Sequence, residues 1–293
     1  MNTHPSHDRD PLYDTVAQRS AALVISAYSS SFGLASRLLP RPLRAHIANL
    51  YALVRLADEI VDQPPSPSAI PARSRALDEL QAQTHRVLAE GHSTNLVVHA
   101  FGITANDCGI DSSLIDPFFT SMRMDLHLVT NTPETFAEYV YGSAEVVGLM
   151  CLRAFLRHED PHGDFQARYA ALTPGARALG AAFQKVNFLR DLADDHGRLG
   201  RSYFPGLDPN ELTEADKQQL VDDIDTDLAT AASAIPELPT SSRRAVLAAH
   251  ATFAELSALL RRTPASTIRT TRVRVPAYVK VRRVTRALLE GPR

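Results

Sequence analysis

Apolar residues recur at spacings of three and four along most of this chain, and that period restricts it to amphipathic helices rather than alternating strands. Prolines punctuate the pattern. Pro40 and Pro42 part the first two periodic stretches, the run PPSPS (64–68) closes the second, and Thr132-Pro133-Glu134 has the form of a capped helix start with proline in the first turn. Glycine numbers only 13, so little else interrupts the helices. They are expected over about 12–38, 42–63, 70–90, 94–107, 112–128, 133–157, 164–196, 212–234, 240–262 and 277–290. The links are short and no repeat or low-complexity linker is visible. The expectation is an all-α fold forming one domain over 1–293, with 1–14 as a flexible start.

Several classes of protein drop out at this point. No run approaches the roughly 18 to 20 apolar residues of a membrane span. The opening MNTHPSHDRDPLYD has none of the charged, apolar and small-residue order of a secretory signal, so a cytoplasmic protein is expected. Cys108 and Cys151, far apart in apolar surroundings, read as buried thiols rather than a disulfide or a metal site. Net charge is −2, but from Arg261 onward the chain is basic with Glu290 as its one acid. Only Tyr278 interleaves an aromatic ring there, so nucleic acid is not an expected partner.

Two helices carry acids in a pattern that invites chemistry. In YALVRLADEIVD (51–62), Asp58 and Asp62 stand at i and i+4, about 6 Å apart in rise and on one face. Such a pair alone is common on solvated helices. Here Tyr51 and Arg55 share the stripe, adding a phenol and a guanidinium as an anion site would require. In QKVNFLRDLADDHGRLGRSYFP (184–205), Asp191 and Asp195 repeat the spacing, Gln184 and Asn187 lie on the same face, and Arg190, Arg198 and Arg201 are close in sequence. Carboxylates and amides are hard oxygen donors suited to Mg²⁺, with Mn²⁺ as a substitute, and to a diphosphate bridged by the metal. An EF-hand is excluded by the missing loop glycine, and zinc by scattered histidines. Phe32, Tyr51, Tyr139, Phe188 and Tyr203 could face a carbocation or simply pack a core.

SSSFGLASRLLP (29–40), YALVRLADEIVD (51–62), SMRMDL (121–126), YVYGSAEVVGLM (139–150), QKVNFLRDLADD (184–195) and GRLGRSYFP (197–205) follow one another in an order that resembles the squalene and phytoene synthases. These are all-helical enzymes of head-to-head prenyl coupling, and the resemblance runs from about Ser29 to Leu288. It implies an isoprenoid synthase-type bundle with a central cavity. By position it makes Asp58, Asp62, Asp191 and Asp195 the Mg²⁺ ligands, and puts Ser29, Ser31, Phe32, Tyr51 and Arg55 at the diphosphate and reacting allyl end. Asp125 falls near the site. Tyr139, Ala144, Val147 and Gly148 fall on the helix lining the prenyl tunnel, where Gly142 and Ala144 would leave room for a long chain. Gln184, Asn187 and Arg190 fall on the second substrate side, Tyr203 in the flap, and Arg272 as a late phosphate contact.

The first acidic block reads DEIVD, as is similar to phytoene synthases, where C30 synthases tend towards DDxxD; Tyr28 stands where many members have histidine. The resemblance therefore implies coupling of two geranylgeranyl diphosphates through prephytoene diphosphate to phytoene, closed by proton loss with no NADPH. Downstream carotenoid enzymes would be partners. The alternatives are a C30 synthase acting on farnesyl diphosphate, a terpene cyclase, which would show an NSE-type second motif, and a silent scaffold relative, which would have lost its acids. The basic helix with Lys280, Arg282, Arg283 and Arg286 is a candidate for peripheral contact with an anionic membrane.

Overall fold

The structure, a computed structural model, describes residues 10–29, 32–63, 66–127, 130–159 and 164–273, with the backbone alone for Phe32, Arg198 and Leu199. Twelve α-helices are formed among them: α1 (Pro11–Tyr28), α2 (Phe32–Ser36), α3 (Arg41–Val61), α4 (Ile70–Glu90), α5 (Leu96–Cys108), α6 (Ser112–His127), α7 (Pro133–Val140), α8 (Val146–Glu159), α9 (Phe165–Leu199), α10 (Glu214–Ala234), α11 (Thr240–Arg262) and α12 (Ala265–Ile268). The described residues form no β-strand, and Thr130 and Ser202 meet in one isolated bridge.

Local chemistry sets the helix ends. Asp10 accepts from the backbone N–H groups of Leu12 and Tyr13, with Pro11 in the first turn, so helix begins inside the stretch 1–14 that was expected to be flexible. Thr132 and Thr213 form capping boxes with Thr135 and Asp216. Gly91, Gly109 and Gly200 close α4, α5 and α9 with φ of 72°, 69° and 67°, angles costly for any residue with a Cβ.

Two expected helices are not continuous. The stretch 12–38 breaks at Ser29, whose backbone is extended and whose hydroxyl accepts from Gly33 N–H at 3.1 Å, starting α2 afresh. The stretch 133–157 passes through a widened turn of π-helix at Tyr141–Glu145. The segment Pro133–Glu159 that contains it is long and apolar enough for a membrane span, with an 18-residue window of mean hydropathy 1.3, contrary to the expectation that no run would qualify. Of that window 72% is buried within the fold, as in a core helix. The helix expected over 277–290, with its basic residues, lies outside the described residues.

Burial follows the periodicity. Leu43, Ile47, Leu50, Phe101, Ile115, Phe118 and Phe119 anchor one apolar cluster across α3, α5 and α6. Val186, Leu189, Val221, Ile224, Leu256 and Leu260 anchor another across α9, α10 and α11. Between them α8 and α9 approach at glycine: a Cβ on Gly148 would stand 2.5 Å from the Ala176 carbonyl oxygen, and one on Gly180 2.5 Å from that of Ala144. A cavity opens where the two clusters diverge.

Candidate active site

That cavity holds about 890 Å³. Helix α3 sends Tyr51, Arg55, Asp58 and Asp62 to its wall, and α9 sends Gln184, Asn187, Arg190, Asp191 and Asp195. Asp125 comes from α6 and Tyr139 from α7. Tyr203 comes from the segment after Gly200, which is held by Asn131 Nδ2 donating to the Tyr203 carbonyl at 2.9 Å. Arg272 arrives from beyond α12, where Val273 N–H donates to the Arg190 carbonyl at 3.2 Å and ties the segment to α9. Ser29, Ala144, Val147 and Gly148 also line the cavity. Ser31 lies outside the described residues, as does the Phe32 side chain.

The polar end is organised by Arg201, whose side chain is 8% exposed. Its Nη1 donates to Asp62 Oδ1 at 2.9 Å and Tyr203 Oη at 3.1 Å; its Nη2 donates to the Val61 carbonyl at 2.8 Å and the Asp125 carbonyl at 3.1 Å. The Asp125 carboxylate lies 3.4 Å away and also accepts from Tyr139 Oη at 2.9 and 3.0 Å. One guanidinium thus ties α3, α6 and the flap together.

On α9, Asp191 is held by Arg190 at 2.5 and 2.7 Å and by Arg272 at 2.8 and 3.2 Å. Arg55 is engaged by Glu59 through Nε at 3.0 Å and through Nη2, and lies 4.5 Å from the Tyr28 ring centroid. Its guanidinium therefore lines the cavity while drawn towards the rim.

Burial pushes the Asp58 carboxyl up to about 8, with the charge of Asp62 adding to it and Arg55 opposing. Burial likewise raises Asp125 to about 7, with Arg201 opposing. The phenols of Tyr139 and Tyr203 are pushed upward by burial and then by Asp125, so both remain hydroxyls. Burial works hardest against the Arg201 charge, but Asp125, Tyr203 and Tyr139 together outweigh it and keep the guanidinium protonated.

The donor set suits a hard cation that shares its coordination with a ligand. Among the described residues no three His, Cys, Asp or Glu side chains stand close enough to hold a metal by themselves. Magnesium is ordinarily held by one or two carboxylates, with water and phosphate oxygens completing the octahedron. Beyond burial, the charges of Asp62 and Asp125 also push the Asp58 carboxyl up, a like-charge contact that a cation would relieve, so the residues fit such a site.

Away from the acids the cavity turns apolar. Tyr203 stacks on Phe188 with centroids 4.0 Å apart and on Tyr139 at 5.6 Å. Further in, Phe183 and Phe253 stack at 3.6 Å, joining α9 to α11. Gly142, expected to leave room in the tunnel, does something else: a Cβ there would stand 2.1 Å from the Pro117 carbonyl oxygen and 2.1 Å from Ser121 Oγ, so its bareness admits α6. Sequence reasoning placed Arg201 only as a neighbour of the second acidic run, because its partners Asp62 and Asp125 are 139 and 76 residues away. It also missed Phe253 and the α10–α11 wall, where periodicity marks burial without saying what is buried against.

The sequence pattern of squalene/phytoene synthases matches residues 25–279. The chain belongs to that family. It is 33% identical to the phytoene synthase of Arthrospira platensis over 223 residues, 71% of this chain and 69% of that one. It is 30% identical to the 15-cis-phytoene synthase of Paracoccus over 186 residues, 62% of this chain and 58% of that one. With the 4,4'-diapophytoene synthase of Staphylococcus haemolyticus it shares 26% over 205 residues, 68% of this chain and 67% of that one. The match thus spans rather more than half of these relatives' lengths. Among solved structures, a dehydrosqualene synthase superposes with a TM-score of 0.79 at 20% identity, covering 96% of this chain and 99% of its own. A squalene synthase from Alicyclobacillus acidocaldarius gives 0.72 at 21%, covering 86% and 96%. The fold is theirs, and the all-α expectation holds.

Proposed function

We propose that this family member is a phytoene synthase, a single-domain transferase that condenses two geranylgeranyl diphosphates head to head through prephytoene diphosphate to phytoene. The observation that carries the proposal is that two helices, each with aspartates at i and i+4, open on one cavity whose remainder is apolar. Identities of 33% and 30% to two phytoene synthases support the C20 substrate.

In this reading Asp58, Asp62, Asp191 and Asp195 hold Mg²⁺, which supplies Lewis acidity to the leaving diphosphates. Arg190 and Arg272 already point guanidinium groups at the α9 acids, and a diphosphate arriving there exchanges their partner from carboxylate to phosphate. Asn187, Gln184 and the Tyr51 hydroxyl add neutral donors that orient the anion. The stacked faces of Phe188, Tyr203 and Tyr139 border the region where an allylic cation develops and exclude water from it. Quenching by water is thereby disfavoured against coupling. Tyr139 and Tyr203 hold their protons too tightly to act as phenolate bases, which favours released diphosphate as the final proton acceptor. No NADPH is required, and the hydrocarbon passes to downstream carotenoid enzymes. We place the enzyme in the cytoplasm.

The test is incubation with Mg²⁺ and either geranylgeranyl or farnesyl diphosphate, with and without NADPH, followed by analysis of extracted hydrocarbons. Phytoene from the C20 substrate without NADPH is expected. A C30 hydrocarbon alone would move the protein to the diapophytoene branch, the second reading, which the Staphylococcus relative favours. No hydrocarbon under any condition would leave a silent scaffold.

A further inference from the structure

The outer face of α1 has no counterpart in this chemistry. Ala17, Ala21 and Ile25 bury its inner side. Leu12, Val16 and Leu23 form a stripe on the opposite side, with Leu12 71% and Leu23 69% exposed. Leu38, just beyond α2, is exposed as well. Beside the stripe lies a second cavity of about 490 Å³, between α1 and the start of α3, lined by Arg37, Arg41 and Arg44 and by no acid among the described residues. Arg19 is exposed within the stripe itself.

We infer that this face docks the protein on an anionic phospholipid bilayer, the α1 stripe entering the interface and the arginine-lined hollow taking a lipid phosphate. A helix lying in the plane of a membrane needs this combination of apolar side chains and flanking cations. Charge argues against the other occupants. A symmetric dimer through this face would set its arginines against one another, and the chain beyond residue 273 is basic apart from Glu290. The first nine residues offer only Met1 as a large apolar side chain. Ser29 and Ser36 line both cavities, so the docked face adjoins the larger one. The docking stands on the surface alone; its use, to load prenyl substrate from the bilayer and return hydrocarbon to it, rests on the proposed function.

Flotation of the full chain with vesicles of phosphatidylcholine, alone or mixed with phosphatidylglycerol, tests it without turnover. Binding is expected to the mixed vesicles and to be at least about tenfold weaker to the neutral ones. Leu12→Glu/Leu23→Glu and Arg37→Glu/Arg41→Glu should each weaken it by at least about tenfold. Melting temperature and turnover of detergent-dispersed substrate should stay unchanged, because these side chains are exposed and outside the active site. Equal binding to both vesicles, or undiminished binding by both variants, overturns the inference. So does a dimer in light scattering that Leu12→Glu/Leu23→Glu converts to monomer.

Discussion

Asp58 sits where its own charge is unwelcome. Raised to about 8, it binds a proton in the fold at a pH where the unfolded chain has released it. For an acid raised in this way, stability is greatest below the unfolded value near 4 and declines as pH climbs towards 8. Asp125, raised to about 7, acts in the same direction. His46, lowered by burial, acts in the opposite one, so the useful readout is a difference between proteins. In chelator, Asp58→Asn should melt about 2–4 °C above wild type at pH 8, some 1–2 kcal/mol, and show little gain at pH 4.5, while losing activity. A gain that is larger at pH 4.5 than at pH 8 contradicts the burial argument.

Arg201 is the converse case. Arg201→Met strands Asp62 and Asp125 and should cost about 3–5 kcal/mol, read by urea denaturation; Arg201→Lys should recover only part, because one ammonium cannot span the same acceptors. A loss below about 1 kcal/mol would show that the guanidinium does not hold α3, α6 and the flap together. The acids were legible in the sequence because i and i+4 is a local relation. Arg201 was not, because its role exists only once residues 139 positions apart have met.

The helices were largely readable from prolines, caps and period: α4 and α11 fall on their expected bounds at 70–90 and 240–262. The π turn at Tyr141–Glu145 was not, since the helical period runs through it, and it is where α6 and α9 pack against this segment. Nor does a sequence say whether a helical glycine faces a cavity or a neighbour. Gly148 and Gly180 border the cavity and also meet a neighbour, with backbone oxygens of Ala176 and Ala144 where a Cβ would go. Gly180→Ala should therefore force α9 away from the Ala144 turn, destabilise by about 1–3 kcal/mol and lower kcat. Thermal melting together with turnover checks it. An unchanged melting temperature would mean that the two helices are not clamped there.

Across the whole molecule, two apolar clusters hold two acidic helices at the mouth of one greasy cavity. The fold class could be read from the period alone, while the joint cavity could not, because its walls come from nine α-helices spread along the chain from α1 to α11. If the metal is shared between carboxylates and a diphosphate, Mg²⁺ and inorganic diphosphate together should raise the melting temperature by more than the sum of their separate effects. Additive shifts would mean independent sites. The central claim is that both acidic pairs act in one head-to-head coupling, and it is tested most directly by counting diphosphate released against hydrocarbon formed from geranylgeranyl diphosphate. The account predicts two diphosphates for every C40 hydrocarbon, with Asp58→Asn and Asp191→Asn each abolishing both. One diphosphate for every C20 product would contradict it.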